Sequence, residues 1–147
     1  MSAYADGFNV SPAELNVQVN AVFRDFDIEE RVVPGKCSDF NGKEHYCEFR
    51  IFGLSVTAVG EIQSKTTRAI LLEGRPAQLN KQMEAAFGAL SIAYDPQAPK
   101  EVRYRNTTGL VNETFDRGQA SAASSEAVYL GKLESGRATL TLMRKDR

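Results

Sequence analysis

Residues 12–23 read PAELNVQVNAVF, and residues 76–87, at an offset of 64, read PAQLNKQMEAAF. Pro12/Pro76, Ala13/Ala77, Leu15/Leu79, Asn16/Asn80, Gln18/Gln82, Ala21/Ala85 and Phe23/Phe87 are identical. Each copy places apolar residues at helical spacing: Leu15, Val19, Val22, Phe23 and Phe26 in the first, Leu79, Met83, Ala86, Phe87 and Leu90 in the second. A repeated helix ordinarily carries a repeated supersecondary unit, so the pair predicts two copies of one unit. The first helix has strong start signals. Ser11 is a good N-cap, Pro12 suits the first helical position, Glu14 completes a Ser-x-x-Glu capping box, and Val10 and Leu15 occupy the positions of a hydrophobic staple. The second helix starts after Gly74-Arg75-Pro76 with a weaker cap. The Asp95-Pro96 and Ala98-Pro99 pairs mark the chain beyond it as non-helical.

Strand patterns follow each helix. After the first they fall near 36–40, 44–52, 54–62 and 66–73, divided by Asn41-Gly42, Gly53 and Gln63-Ser64-Lys65. After the second they fall near 101–105, 110–115, 127–133 and 137–143, divided by Asn106-Thr107-Thr108-Gly109 and Glu134-Ser135-Gly136. A second echo joins VTAVGEIQS (56–64) to AVYLGKLES (127–135), aligning Gly60 with Gly131 and Ser64 with Ser135 at an offset of 71. The longer offset points to an insertion in the second unit, with the small, polar GQASAASSE (118–126) as its site and as an expected mobile loop. The expected fold is α+β: a tandem repeat of a helix followed by three to four antiparallel strands, helices packed on one face of the sheet. The expected organisation is a single domain over 6–147, with units of about 8–74 and 75–147.

Alternation sorts the strand residues between two faces. Cys47, Phe49 and Ile51 oppose Glu44, Tyr46, Glu48 and Arg50; Ala138, Leu140 and Leu142 oppose Arg137, Thr139 and Thr141. Val128 and Leu130 oppose Tyr129, and Val102 and Tyr104 oppose Arg103 and Arg105. The open face is therefore expected to carry Tyr46, Glu48, Arg50, Arg103, Arg105, Tyr129, Thr139 and Thr141, and Tyr and Arg are the residue types that dominate binding hot spots. A plainer reading is a solvated sheet face held by cross-strand pairs.

The composition, 42% apolar and 25% charged, is that of an ordinary globular protein. A net charge of −1 offers no electrostatic case for nucleic acid or a membrane surface, and no apolar run approaches the ~20 residues of a spanning helix. Ala3-Tyr4-Ala5 has the A-x-A form of a signal-peptidase site, consistent with a chain that begins just inside a trimmed leader with Met1 added, residues 1–5 being its remnant. Cys37 and Cys47 flank the Asn41-Gly42 hairpin signal. A three-residue loop over Asn41–Lys43 sets the cysteines directly opposite; a two-residue turn staggers them by one position. Either register leaves a bridge within reach, and a lone cysteine pair suits an exported protein with one disulfide.

Motifs for chemistry are scarce. His45 is the only histidine, which leaves little material for a Ser–His or Cys–His catalytic site, and no second cysteine pair completes a metal site. No Gly-rich phosphate loop occurs. Asp25, Asp27, Glu29 and Glu30 cluster without calcium-loop spacing and read as a solvated acidic turn. Asn106-Thr-Thr and Asn112-Glu-Thr match a glycosylation pattern that arises often by chance. No catalytic residue, metal or cofactor is expected. In layout alone, the tandem helix-plus-sheet plan with a disulfide in the first hairpin is similar to the β-lactamase inhibitory proteins; that resemblance implies a secreted protein binding an enzyme with a concave sheet. The expectation is an exported (periplasmic or secreted), non-enzymatic protein that recognises a protein partner, in an inhibitor or immunity role, through the open sheet face. The alternatives are a small-ligand module or carboxylate-based hydrolase with a pocket between the units, and a self-associating subunit. Intact mass without reductant is expected to equal that of the dithiol chain less both thiol hydrogens; the dithiol mass would refute the Cys37–Cys47 bridge.

Overall fold

The computed structural model of the protein describes residues 8–61 and 65–145. Ala3-Tyr4-Ala5, the Ile62 end of the third expected strand, Gln63-Ser64 and Asp146-Arg147 lie outside the described residues. Three helices, α1 (Leu15–Asp25), α2 (Lys81–Tyr94) and α3 (Lys100–Arg117), accompany seven strands: β1 (Val33–Phe40), β2 (Glu44–Ile51), β3 (Leu54–Glu61), β4 (Thr66–Gly74), β5 (Gln119–Ala123), β6 (Ala127–Glu134) and β7 (Arg137–Arg144). The fold is α+β. The strands form one antiparallel sheet in the order β1-β2-β3-β4-β7-β6-β5.

Both copies of the Pro-Ala-x-Leu-Asn segment enter their helices through a 3-10 turn, Pro12–Glu14 and Pro76–Gln78. The proline fixes φ for that turn and needs no amide partner. Ser11 does not build the expected capping box: its hydroxyl contacts the Glu14 carboxylate at 3.3 Å and caps no backbone amide. Asn80 does cap α2, its side-chain oxygen accepting from the Gln82 amide at 2.8 Å. Leu15, Val19, Val22 and Phe23 of α1 are buried, but Phe26, at the end of the predicted stripe, is 58% exposed.

The strands expected at 101–105 and 110–115 are instead α3. Its buried face is Asn106, Thr107, Leu110, Val111 and Thr114, a helical stripe in which three of five members are polar. An Asn-Thr-Thr-Gly run reads as a turn when side chains are assumed to face water. Here Asn106 points inward, and its amide donates to the Ala123 carbonyl at 3.0 Å. Pro99 precedes the helix, and Gly118 ends it at φ 83, a left-handed position that favours glycine. The expected mobile loop at 118–126 is likewise corrected. Gln119–Ala123 is edge strand β5, and Ala120 and Ala122 pack against the core.

Buried residues of the helices and of one strand face form a single cluster. Cys47, Phe49 and Ile51 enter it from β2, Val56 and Ala58 from β3, Ile70 and Leu72 from β4, and Ala138, Leu140 and Leu142 from β7. Each large side chain so buried contributes about 1.5–3 kcal/mol. Along β6 the predicted phase is inverted: Ala127, Tyr129 and Gly131 face the core, while Val128 and Leu130 face outward. Gly131 makes this possible. A Cβ there would lie 2.0 Å from the Thr114 hydroxyl and 3.2 Å from Leu140, so α3 can approach β6 only over a glycine. Gly109, inside α3, has nothing within 4 Å of its would-be Cβ.

Gly131→Ala is therefore expected to cost about 1–3 kcal/mol through overpacking. Gly109→Ala should add about 0.5–1 kcal/mol from helix propensity. Paired denaturant titrations check both; equal effects would contradict the α3–β6 packing.

Candidate functional site

Three regions gather functional chemistry. The first is the outward face of the sheet. Register aligns Tyr46 with Val59, Val59 with Ala69, Ala69 with Met143 and Met143 with Val128, a row that crosses five strands and is mostly apolar. Beside it run Glu48, Thr57, Leu71, Thr141 and Leu130, and then Arg50, Ser55, Glu73, Thr139 and Lys132. Of the residues expected on this face, Tyr46, Glu48, Arg50, Thr139 and Thr141 are there. The two groups sit three strand spacings apart, roughly 14 Å. Arg103 and Arg105 are not on the sheet, because their segment is α3. Tyr129 is not on the open face, because it is fully buried beneath α3 and α2. Val59, Ala69, Leu71, Val128, Leu130 and Met143 are the outward apolar residues that the sequence reading missed. For Val128 and Leu130 the signal was the Gly131 close approach, which sets the phase of β6.

A depression of about 1020 Å³ begins at Leu130, Lys132, Thr139 and Thr141 and runs around β5 to Glu113 and Arg117 of α3. Its lining is charged and hydroxylic, and it is open to solvent. On the opposite side of the molecule a second groove, of about 810 Å³, has Ala85, Gly88, Ala89 and Ile92 of α2 along its floor. Val22, Phe26 and Ile28 wall one side; Arg103, Tyr104 and Thr107 wall the other. Phe26 is 58% and Tyr104 69% exposed.

The second region is a buried polar cluster at the end of α2. Asp95 is 2% exposed. Its Oδ2 accepts from the Tyr129 hydroxyl at 2.7 Å and from the Ser124 hydroxyl at 2.7 Å. Ser124 Oγ in turn accepts from the Ala127 amide at 3.1 Å, closing the β5–β6 turn. Arg103 donates to the Ala98 carbonyl at 2.5 Å and lies 3.3 Å from the carbonyls of Asp95 and Pro96. Every one of these contacts is internal, and the cluster joins α2, α3 and β6. Burial pushes the Tyr129 phenol well above its ordinary range; its hydrogen bond to Asp95 and the charge on that carboxylate add to this, with Arg103 opposing. Burial also raises Tyr94, with a smaller contribution from Glu14.

The third region is the first hairpin. Asn41, at φ 49, and Gly42, at φ 73, turn the chain with Lys43 between Phe40 and Glu44, so the loop is the three-residue one. Cys37 then pairs directly with Cys47, and the two are disulfide-bonded. Asp39 pairs with His45 two residues closer to the turn, on the same face. These four residues make a two-by-two grid on one face. His45 Nδ1 is 2.6 Å from Asp39 Oδ1, and His45 Nε2 is 3.6 Å from Cys47 Sγ. The ligand atoms of Cys37, His45 and Cys47 all lie within 4.8 Å of one another, but the two sulfurs are bonded to each other. Glu44, Glu61 and Arg68 form an ion-pair group near the same turn.

No family model, no curated protein and no solved structure matches the chain. No helix among the described residues is long and apolar enough to cross a membrane.

The phenols of Tyr94 and Tyr129 keep their protons in the fold, whereas the unfolded chain releases them above about pH 10. The raised folded values thus contribute stability that is complete below that pH and is lost as pH rises through it. Alkaline titration should show tyrosinate absorbance from these two residues only together with loss of the circular-dichroism signal. Their ionisation in a still-folded protein would contradict the burial described.

Proposed function

We propose that this protein is an exported, non-enzymatic binding protein that recognises a protein partner through the outward sheet face, in an inhibitor or immunity type of role. The observation that carries this reading is the row Tyr46–Val59–Ala69–Met143–Val128 flanked by Leu71 and Leu130. It is a contiguous, half-exposed apolar strip on a face whose other residues are charged or hydroxylic. Strips of this kind, rimmed by polar residues, mark interaction surfaces. Tyr46 and Arg50 lie at one end and supply residue types favoured as anchors.

The Cys37–Cys47 disulfide and the absence, among the described residues, of a membrane-spanning helix are compatible with a secreted or periplasmic setting. We read the chain as one domain of two diverged units. In that reading the helices pack on the inner face in both units, α3 was acquired by the second, and the hairpin grid belongs to the first. The shared Pro-Ala entry turns and the Gly60/Gly131 echo in β3 and β6 support it.

The groove along α2 supports a second reading, in which the partner is bound by Phe26, Ile28 and Tyr104 on the helix side. Affinity capture from the source, followed by direct binding with the purified partner, separates the two. Tyr46→Ala, Arg50→Ala and Met143→Lys are each expected to weaken binding about tenfold or more, while Tyr104→Ala leaves it unchanged. Full binding by all three sheet variants would reject the sheet face, and loss with Tyr104→Ala alone would establish the groove.

A further inference from the structure

The hairpin grid carries chemistry that a purely structural bridge does not need. We propose that Cys37–Cys47 is a thiol-exchange site, in which an external low-molecular-weight thiol is captured on Cys37 while Cys47 departs toward His45. This inference is independent of the sheet-face reading.

The two sulfurs are unequal. Cys37 is exposed on β1, the edge strand of the sheet, whereas Cys47 is fully buried on β2. A thiolate attacks a disulfide sulfur in line with the bond it breaks. Because the cysteines face each other directly across two strands, the bond runs across the sheet. Cys37 stands on the outermost strand of the sheet, with no strand of the described residues beyond it. The line through Cys47 runs into β3, where buried Ala58 is its register partner. The difference in exposure selects Cys37 as the sulfur attacked.

The leaving sulfur is also provided for. His45 Nε2 is 3.6 Å from Cys47 Sγ, and His45 Nδ1 is turned to the Asp39 carboxylate at 2.6 Å. Asp39 accepts from Nδ1–H and fixes the ring, so the other nitrogen faces the sulfur. It acts as a positioning residue; His45 touches the reacting atom. The step balances as follows. The external thiolate forms a new S–S bond to Cys37 as the Cys37–Cys47 bond breaks. The electron pair goes to Cys47 Sγ, and the His45 imidazolium gives up its Nε2 proton to it, leaving a Cys47 thiol, a neutral imidazole and a mixed disulfide on Cys37. In reverse, the neutral ring takes the proton from Cys47, the thiolate attacks Cys37, and the external thiol leaves. No further oxidant or reductant is required. A leaving group matched to an adjacent acid speeds such exchange, as proton transfer by a placed side chain does generally.

The probe is reduced glutathione, added to the native, oxidised protein, with rapid alkylation and peptide mapping by mass spectrometry. Glutathione should appear on the Cys37 peptide and the alkyl group on the Cys47 peptide. His45→Gln should slow the exchange by about tenfold or more at unchanged thermal stability of the oxidised form, and Asp39→Asn should slow it less, with recovery in Asp39→Glu. Glutathione on Cys47, equal labelling of both cysteines, or exchange only after denaturant is added would each overturn the proposal on the wild-type protein alone, whether or not a variant folds. So would an unchanged rate in a folded His45→Gln protein.

Discussion

A carboxyl group removed from water needs hydrogen-bond partners where it lies, and the second half of this molecule converges on one, Asp95, whose Oδ2 has two such partners while its buried Oδ1 has none among the described residues. Asp95 ends α2 and cannot reach solvent. Its Oδ2 holds the Tyr129 hydroxyl from the middle of the sheet and the Ser124 hydroxyl from the β5–β6 turn, each at 2.7 Å. Removing one partner from such a group leaves desolvation uncompensated, at a cost of about 1–3 kcal/mol or more for a charged one. Asp95 therefore fixes which way β6 faces, since only the Tyr129-inward phase brings the phenol to the carboxylate. That phase also requires a glycine at 131, because Thr114 of α3 occupies the space where a side chain would be. Arg103, anchored to the carbonyls that follow α2, ties the start of α3 to the same point. One buried carboxyl group thus links helix order, strand phase and turn closure.

The same cluster explains where the sequence was readable and where it was not. Apolar periodicity located α1 and α2, and alternation oriented β2 and β7 correctly, because in those elements hydrophobic residues face inward and polar ones outward. Along α3 that correspondence fails. Asn106, Thr107 and Thr114 are buried and Tyr104 is exposed, so the helix lacks an apolar stripe, and its Asn-Thr-Thr-Gly run mimics a turn. Along β6 both faces are apolar. Val128 and Leu130 are as eligible for the core as Ala127 and Tyr129, so alternation alone does not choose between the two phases. The partner of Tyr129, Asp95, is 34 residues away. Long-range satisfaction of a polar group leaves no local trace. The glycine did leave one: small residues recur where a helix crosses a strand closely, and the Gly60/Gly131 echo marked that position without revealing its meaning.

For the hairpin, the sequence offered two registers and the turn geometry selected one. With three loop residues, Cys37 meets Cys47 and Asp39 meets His45. A two-residue turn would have put Cys37 and Asp39 on one face and His45 and Cys47 on the other, since one residue of slip reverses a strand's orientation, so the expectation that either register allows the bridge is corrected: only the three-residue loop does. Asp39 could not be read as the partner of the only histidine until register was known, and so His45 carried little weight as a reactive group.

The two edges of the sheet bear on how this protein meets others. A free edge offers unpaired amides and carbonyls to any incoming strand. Edge strand β1 resists this: Pro34 lacks an amide hydrogen, the register shifts between Pro34 and Cys37, and Lys36 lies within that irregular stretch. β5, at the other edge, has five residues. Neither edge is a long, regular template, so strand addition is a poor route to association, whether with a second copy or a foreign chain. Contact is left to the faces, and there the outward strip from Tyr46 to Val128 crosses every strand between the two edge strands. The irregularity that blunts β1 lies beside the exposed residue Cys37. Backbone pairing is discouraged at the place where a small nucleophile has the clearest approach. If Cys37 is the site of thiol exchange as proposed, a single edge strand excludes a chain and admits a thiol, because the first needs a row of aligned amides and the second only one accessible residue.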